Sequence, residues 1–147
     1  MKIIKKYADL KTRDKRNTSN ICFIVIQSFN NKDTGHYQIV DGGLYQMLPD
    51  DYISNSVNGC KCNKLGIYHG ICTKYNSISI GIADNPEESD IELCRHLIIT
   101  IRQRYGIKEE NVIRQTDVTG DISPEIWFDK NRWDKEIIQG IKDILDN

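Results

Sequence analysis

Ile21-Cys22-Phe23-Ile24-Val25-Ile26 is the stretch whose reading decides the fold. It is short, continuously apolar and rich in β-branched residues, the pattern of a central strand buried on both faces. Downstream, His36-Tyr37-Gln38-Ile39-Val40 and Leu44-Tyr45-Gln46-Met47-Leu48 flank Asp41-Gly42-Gly43, residues that accept positive φ, and the whole reads as a β-hairpin. Ser77-Ile78-Ser79-Ile80-Gly81-Ile82 alternates polar and apolar side chains and reads as a further strand. Asn111-Val112-Ile113 is a short one.

Helices fall between and after these runs. Asn85-Pro86-Glu87-Glu88 reads as a helix start, with Asn85 at the cap, Pro86 at the first helical position and a Glu where a capping box needs one. Ile91, Cys94, Leu97, Ile98, Ile101 and Tyr105 follow at helical spacing, and Gly106 ends the run; His96 falls on the exposed side. Trp133, Ile137, Ile141 and Leu145 mark an amphipathic final helix. Trp127, Phe128 and Trp133 are expected to pack the C-terminal segment onto the sheet. Strands interleaved with helices predict an α/β fold, a central mixed β-sheet flanked by α-helices. The 147 residues suit one domain, 1–147, with 1–20 as an N-terminal arm. A chain of this length buries about two thirds of its unfolded surface.

Lys+Arg 20 against Asp+Glu 21 leaves a net charge of -1, which argues against a nucleic-acid footprint over the whole molecule. Basic residues do gather between Lys2 and Arg16, either as a solvated arm or as a grip on an anionic polymer. No apolar run approaches the roughly 20 residues that span a bilayer, so no membrane partner is expected. No apolar stretch of the kind a secretory signal needs follows Met1 to Lys6, so synthesis is expected in the cytoplasm. Five cysteines in a reducing compartment default to free thiols. Cys22 and Cys94 lie on apolar runs and read as small core residues. From Pro49 to Tyr75 the pattern dissolves into Asn, Ser, Gly and Cys, a stretch long enough to be functional or ordered by local contacts. It holds Cys60, Cys62, His69 and Cys72. Free thiols, a disulfide formed after release and a loop zinc all fit these residue types, although the spacing matches no common zinc-finger pattern.

Four segments, in order, resemble the zinc-dependent N-acetylmuramoyl-L-alanine amidases of type 2, the superfamily of peptidoglycan recognition proteins and phage lysins. Ile3-Ile4-Lys5-Lys6-Tyr7 looks like the lead-in of clostridial and phage members. His36 to Gln46 is similar to the family's "HYxVDxxxIYQ" hairpin. Tyr68-His69-Gly70-Ile71-Cys72 with Asn76 to Ile82 resembles "YHPxCRNxNSIGIE", and Asp117-Val118-Thr119-Gly120 matches the centre of "RHxDVTGKxCP". The resemblance covers nearly the whole chain. It implies a zinc with three protein ligands and a water that the metal activates for amide hydrolysis.

At each ligand position this sequence departs from the pattern. Gln27 follows the first strand where the family has His, Gln115 precedes Asp117 where it has His, and Ser123 precedes Pro124 where it has Cys. Amide oxygens and a neutral hydroxyl replace neither an imidazole nitrogen nor a thiolate on zinc. Asp121 stands where the family has a Lys suited to stabilising an oxyanion, and Ala83 where it has a Glu suited to acid–base work. The resemblance, with these five departures, implies a catalytically inactive relative that carries no zinc and keeps peptidoglycan or muropeptide binding. Gln27, His36, Ser56, Asn58, Gln115 and Ser123 are the candidate ligand-binding residues. Gln27 and Gln115 either hold a ligand or bond to each other and fill the former cavity; His36 either touches a ligand or is a hydrogen-bonded structural residue. The alternatives are a regulatory module that binds a protein partner, residual amidase activity, and a prophage remnant with no selected function. A lysin relative would reach the cell wall by release from the cytoplasm.

Overall fold

The computed structural model describes residues 1–7, 9–11, 13–29, 35–57 and 65–147. Its centre is a six-stranded sheet built from β1 (Ile4–Lys5), β2 (Phe23–Ser28), β3 (Tyr37–Val40), β4 (Gly43–Gln46), β5 (Ser77–Ile82) and β6 (Val112–Arg114). The order across the sheet is β1-β4-β3-β5-β2-β6. Only the β3–β4 hairpin is antiparallel; every other neighbouring pair is parallel. The sheet is therefore mixed, as expected, and β2 lies inside it between β5 and β6.

Alternation along the strands divides the core in two. Ile24 and Ile26 of β2, Ile78, Ile80 and Ile82 of β5, and Tyr37 and Ile39 of β3 face α1 (Glu88–Tyr105) and the C-terminal helical segment. From α1 they meet Ile91, Cys94, Leu97, Ile98 and Ile101, all buried at helical spacing. Each such aliphatic side chain contributes roughly 2 kcal/mol of transfer free energy. The opposite face carries a smaller cluster, Phe23 and Val25 with Cys72, Ile113 and Val118. Its remaining positions, Gln27, Ser77, Ser79 and Gln38, are polar and yet buried. β5 is thus buried on both faces, with its serines under the loop that carries Ser54 and Ser56.

Several boundaries differ from the sequence reading. Glu87, not Asn85, caps α1, because Asp90 provides the acceptor: its Oδ2 takes the Glu87 N–H at 3.1 Å and its Oδ1 the Gly42 N–H at 2.8 Å. One buried carboxylate so ties the hairpin turn to the helix start. Gly106 ends the helix at φ 66°, a conformation open to a residue without Cβ. The final helix runs as α3 (Lys130–Trp133), a π-helical stretch Asp134–Gln139 and α4 (Gly140–Leu145). Trp127 and Trp133 are buried edge to face at 5.7 Å, whereas Phe128 is 48% exposed. Cys94 is a core residue as expected, but Cys22 is exposed, because β2 begins only at Phe23.

The N-terminal arm is part of the sheet. Ile4 and Lys5 pair with Tyr45 and Gln46 as an edge strand whose exposed lysines discourage further pairing. Arg16 reaches inward to the carbonyl oxygens of Asp50, Lys74 and Ser77. At the other edge, the Val112 N–H is taken by Glu109 O and the Arg114 N–H by Asp117 Oδ2 at 3.0 Å, so β6 offers few free donors. Among the described residues, no helix is long and apolar enough to cross a membrane.

Candidate functional site

The parallel strands β2, β5 and β6 end on one edge, where open α/β sheets form their ligand crevices. Gln27 lies in register with Gly81, and the register of β6 carries Gln115 to its other side, where the Gln115 N–H donates to Ile26 O at 2.8 Å. The chain then turns through α2 (Thr116–Thr119) and leaves it at Gly120, φ 80°. That turn returns Ser123 to the end of β2: its Oγ accepts the Ser28 N–H at 2.9 Å, and its carbonyl accepts the Thr116 N–H at 2.8 Å. Gln27, Gln115 and Ser123, far apart in sequence, therefore converge at this edge. Ala83 joins them one residue beyond β5, and Asp121 stands on the returning turn with Oδ2 accepting from Thr119 Oγ1 at 3.0 Å.

The α2 turn is held from below. Arg114 is buried and donates from Nε to Asp117 Oδ2 at 3.1 Å and from Nη2 to Oδ1 at 2.8 Å, while its Nη1 binds Trp127 O and Phe128 O. A buried charge is tolerated when its donors are satisfied in this way, and the pair fixes where Gln115 points. The Gln115 side-chain amide donates to the Ser56 carbonyl oxygen. Ser56 and Ser54 hydroxyls lie 2.7 Å apart, and Ser79 Oγ donates to Ser54 Oγ at 3.5 Å. Gln27, Ser56 and Ser123 are buried, at 3%, 2% and 7% exposure; Gln115, Ala83 and Asp121 are half-buried and Ile122 is exposed.

Of the two readings of His36, ligand contact and hydrogen-bonded structural residue, the geometry fits the second. The ring is fully buried; Nδ1 accepts the Ser79 N–H at 3.1 Å, which leaves Nε2 as the N–H donor to Tyr52 O at 2.7 Å. Burial first, and then the Arg16 guanidinium at 3.2 Å, lower its pKa to about 4. The ring is a neutral structural bridge between β5 and the loop after β4. Asn58, Cys60 and Cys62 lie outside the described residues. Of their proposed partners, His69 is exposed while Cys72 is buried in the small apolar cluster, with its thiol pushed up to about 12 chiefly by burial. Among the described residues, no three His, Cys, Asp or Glu side chains gather as a metal would require.

This sheet, with Gln27, Gln115 and Ser123 gathered where β2 and β6 end, has the fold of the type 2 amidase catalytic domains. It superimposes on the catalytic domain of XlyA with a TM-score of 0.74 at 17% identity, covering 96% of this chain and 99% of that one. A mutant endolysin from Bacillus subtilis gives 0.74 at 19%, over 95% and 98%. The N-acetylmuramoyl-L-alanine amidase LysC from Clostridium intestinale gives 0.58 at 16%, over 84% and 89%. No family model matches the chain, and no curated protein matches it in sequence.

The zinc that this fold family implies is a poor fit to the donors at the crevice. Gln115 spends its amide on Ser56 O, and Ser123 Oγ is already an acceptor for a main-chain N–H. A neutral amide oxygen and a protonated hydroxyl are weak donors to a borderline-soft cation. The spacing of the motifs pointed to Gln27, Gln115 and Ser123, which the fold brings to one edge of the sheet. Sequence reasoning named Ser56 but missed the hydroxyl contacts among Ser54, Ser56 and Ser79, and it missed the Arg114–Asp117 pair. The alternating serines of β5 were the available signal for the former; nothing in the sequence marks Ser54 and Ser56 as covering them.

Proposed function

We propose that this protein is an amidase-fold binding protein that has lost zinc-dependent hydrolysis and holds peptidoglycan or a muropeptide in the crevice at the ends of β2 and β6. The observation that carries the reading is the convergence of Gln27, Gln115 and Ser123 at one point of an otherwise complete scaffold. Asp121 puts a negative charge where an oxyanion would form, and Ala83 leaves no acid–base group at the end of β5. Binding is less demanding than catalysis, since a shaped crevice with main-chain and amide groups can orient a sugar–peptide ligand without a metal. Gln115 and the rim at Asp121 and Ile122 are the contacts such a ligand meets first.

The test joins two measurements on the full-length protein. Elemental mass spectrometry of protein purified without chelator is expected to find less than about a tenth of an equivalent of zinc per chain, given this donor set. Co-sedimentation with purified peptidoglycan is expected to carry the protein into the pellet, and Gln115→Ala is expected to reduce the bound fraction. Stoichiometric zinc, or a protein that stays in the supernatant, overturns the reading.

One observation favours a second reading, a protein-interaction module. Leu65, Ile67, Ile71 and Tyr75 are 57%, 81%, 60% and 55% exposed in a single loop beside α2, a concentration of apolar surface that water alone does not favour. A stable complex with a co-encoded lysin, together with no wall affinity, would decide for it.

A further inference from the structure

A cavity of about 300 Å³ lies at the β6 edge of the sheet, between that strand and α3. Its apolar lining includes the buried Val112, Ile113 and Trp133 and the exposed Ile67. Glu109, Glu110, Asp117 and Asp134 bring carboxylates to it, against Lys130 alone. Lys130 is spent on Asp134 at 3.2 Å, Asp117 is held by Arg114 at 2.8 Å, and Glu109 faces Lys142 at 3.5 Å. Glu110 is fixed beside the apolar lining, since Tyr68 Oη donates to its carbonyl oxygen at 3.3 Å. Among the described residues its carboxylate has no partner.

The opposite edge of the sheet is basic. Lys2, Lys5 and Lys6 are exposed there beside Ile4 and Tyr7. Charge is divided along the chain in the same sense. Residues 1–16 hold seven Lys and Arg against two Asp, whereas residues 109–147 hold five Lys and Arg against ten Asp and Glu. The two excesses are equal and opposite within a chain of net charge -1. Six strands spaced about 4.8 Å apart set the two edges roughly 24 Å from each other. That exceeds the Debye length of about 8 Å at physiological salt, so the edges do not neutralise each other within one molecule. A second copy translated along the sheet brings them together. Strand pairing is closed to such a contact, because the Val112 and Arg114 N–H groups are held by Glu109 O and Asp117 Oδ2. Side chains must make it. Tyr7, an aromatic ring next to Lys5 and Lys6, has the chemistry that an apolar cavity with a carboxylate rim accepts.

We propose that the cavity at the β6 edge receives Tyr7 and the neighbouring lysines of a second copy, so that the protein associates head to tail. Such a contact joins two different patches, and its products extend as chains or close as rings, unlike a two-fold dimer. It calls on none of Gln27, Gln115 and Ser123 and does not require wall binding.

Sedimentation velocity of the full-length protein, from micromolar to near-millimolar concentration, tests this in about 10 mM and about 1 M salt, where the Debye length is about 30 Å and about 3 Å. The average mass is expected to rise with concentration at low salt and to return toward the monomer at high salt. Two charge reversals, Lys5→Glu with Lys6→Glu and Glu110→Lys with Asp134→Lys, change exposed side chains only. Each pair is expected to weaken association at least about tenfold, and mixing the two proteins is expected to restore it, because the reversed patches complement each other. Restoration on mixing is a result that misfolded variants cannot give. Tyr7→Ser is expected to weaken association by about tenfold while leaving its salt dependence unchanged. A wild type that stays monomeric at every concentration overturns the proposal and leaves the cavity to a basic segment of another protein. Weakening by the Glu110→Lys, Asp134→Lys pair alone marks a two-fold contact through the β6 edge and overturns it as well. So does a mixture that restores nothing.

Discussion

His36 shows how one buried side chain ties stability to acidity. Its ring is neutral with Nδ1 accepting and Nε2 donating, and protonation would place a second positive charge against Arg16 in a site closed to water. Its pKa is lowered from 6.5 to about 4, by burial first and Arg16 second. Between those values the unfolded chain binds a proton that the folded chain refuses. Stability is therefore level with respect to this residue above pH 6.5 and falls as the pH drops toward 4, by an amount on the order of 3 kcal/mol. Asp50 acts in a lower window. Burial would raise its pKa, but hydrogen bonds from Tyr105, Tyr37 and Arg104 outweigh that and hold it below 3.8, so its contribution is lost only under more acid conditions. Urea unfolding from pH 7 to 4 is expected to give a steep loss for the wild type and a shallower one for His36→Gln. Equal slopes would show that the ring titrates freely.

At the scale of elements, the decisive contact is the seating of the 65–68 segment on α2. The Gly66 N–H donates to Val118 O at 3.2 Å and the Tyr68 N–H to Asp117 O at 2.8 Å. A Cβ on Gly66 would lie 2.1 Å from the Asp117 carbonyl carbon and oxygen, a clash with main chain that no rotamer relieves. Gly66→Ala is expected to cost about 2 kcal/mol or more and to lower Tm by roughly 5 °C. Gly81→Ala is the contrast: its added carbon meets nothing nearer than 3.6 Å, and calorimetry should find it almost neutral. Indistinguishable effects would mean that the segment does not sit on α2 as described. The elements that the sequence made legible were those with a long physical signature: the β-branched run of β2, the hairpin with its positive-φ turn, and the helical spacing from Ile91 to Ile101. β1 was not legible because Ile4–Lys5 is too short for periodicity and is a strand only through its pairing with β4. The α1 cap was misplaced because Asp90 is chosen by a partner, Gly42, that local sequence does not reveal. The site divides the same way. The positions of Gln27, Gln115 and Ser123 were readable from ordered motifs, whereas the Ser54–Ser56–Ser79 hydroxyls meet only once the loop is folded.

For the whole molecule, the separation of scaffold from chemistry can be tested by reversing it. The edge where β2, β5 and β6 end is built by the hydrophobic alternation of the strands and by the Arg114–Asp117 pair, none of which depends on a metal. If the crevice lost its zinc by substitution alone, Gln27→His, Gln115→His and Ser123→Cys together supply two imidazoles and a thiolate at positions that already converge, the ligand set of a catalytic zinc site with one open position. Space favours the first change, since Gln27 lies beside Gly81, which has no side chain. The other two forfeit the Gln115 bond to Ser56 O and weaken the acceptor for the Ser28 N–H, a combined loss of about 2 kcal/mol that metal binding more than offsets. The triple variant is expected to fold and to retain close to one zinc per chain by elemental mass spectrometry, and still not to cleave purified peptidoglycan, because Asp121 opposes a developing oxyanion and Ala83 moves no proton. Adding Asp121→Lys and Ala83→Glu is expected to bring measurable release of stem peptide. Should the folded triple variant take up no zinc, the three positions are not the remains of a metal site, and the argument for a lost hydrolase falls with them.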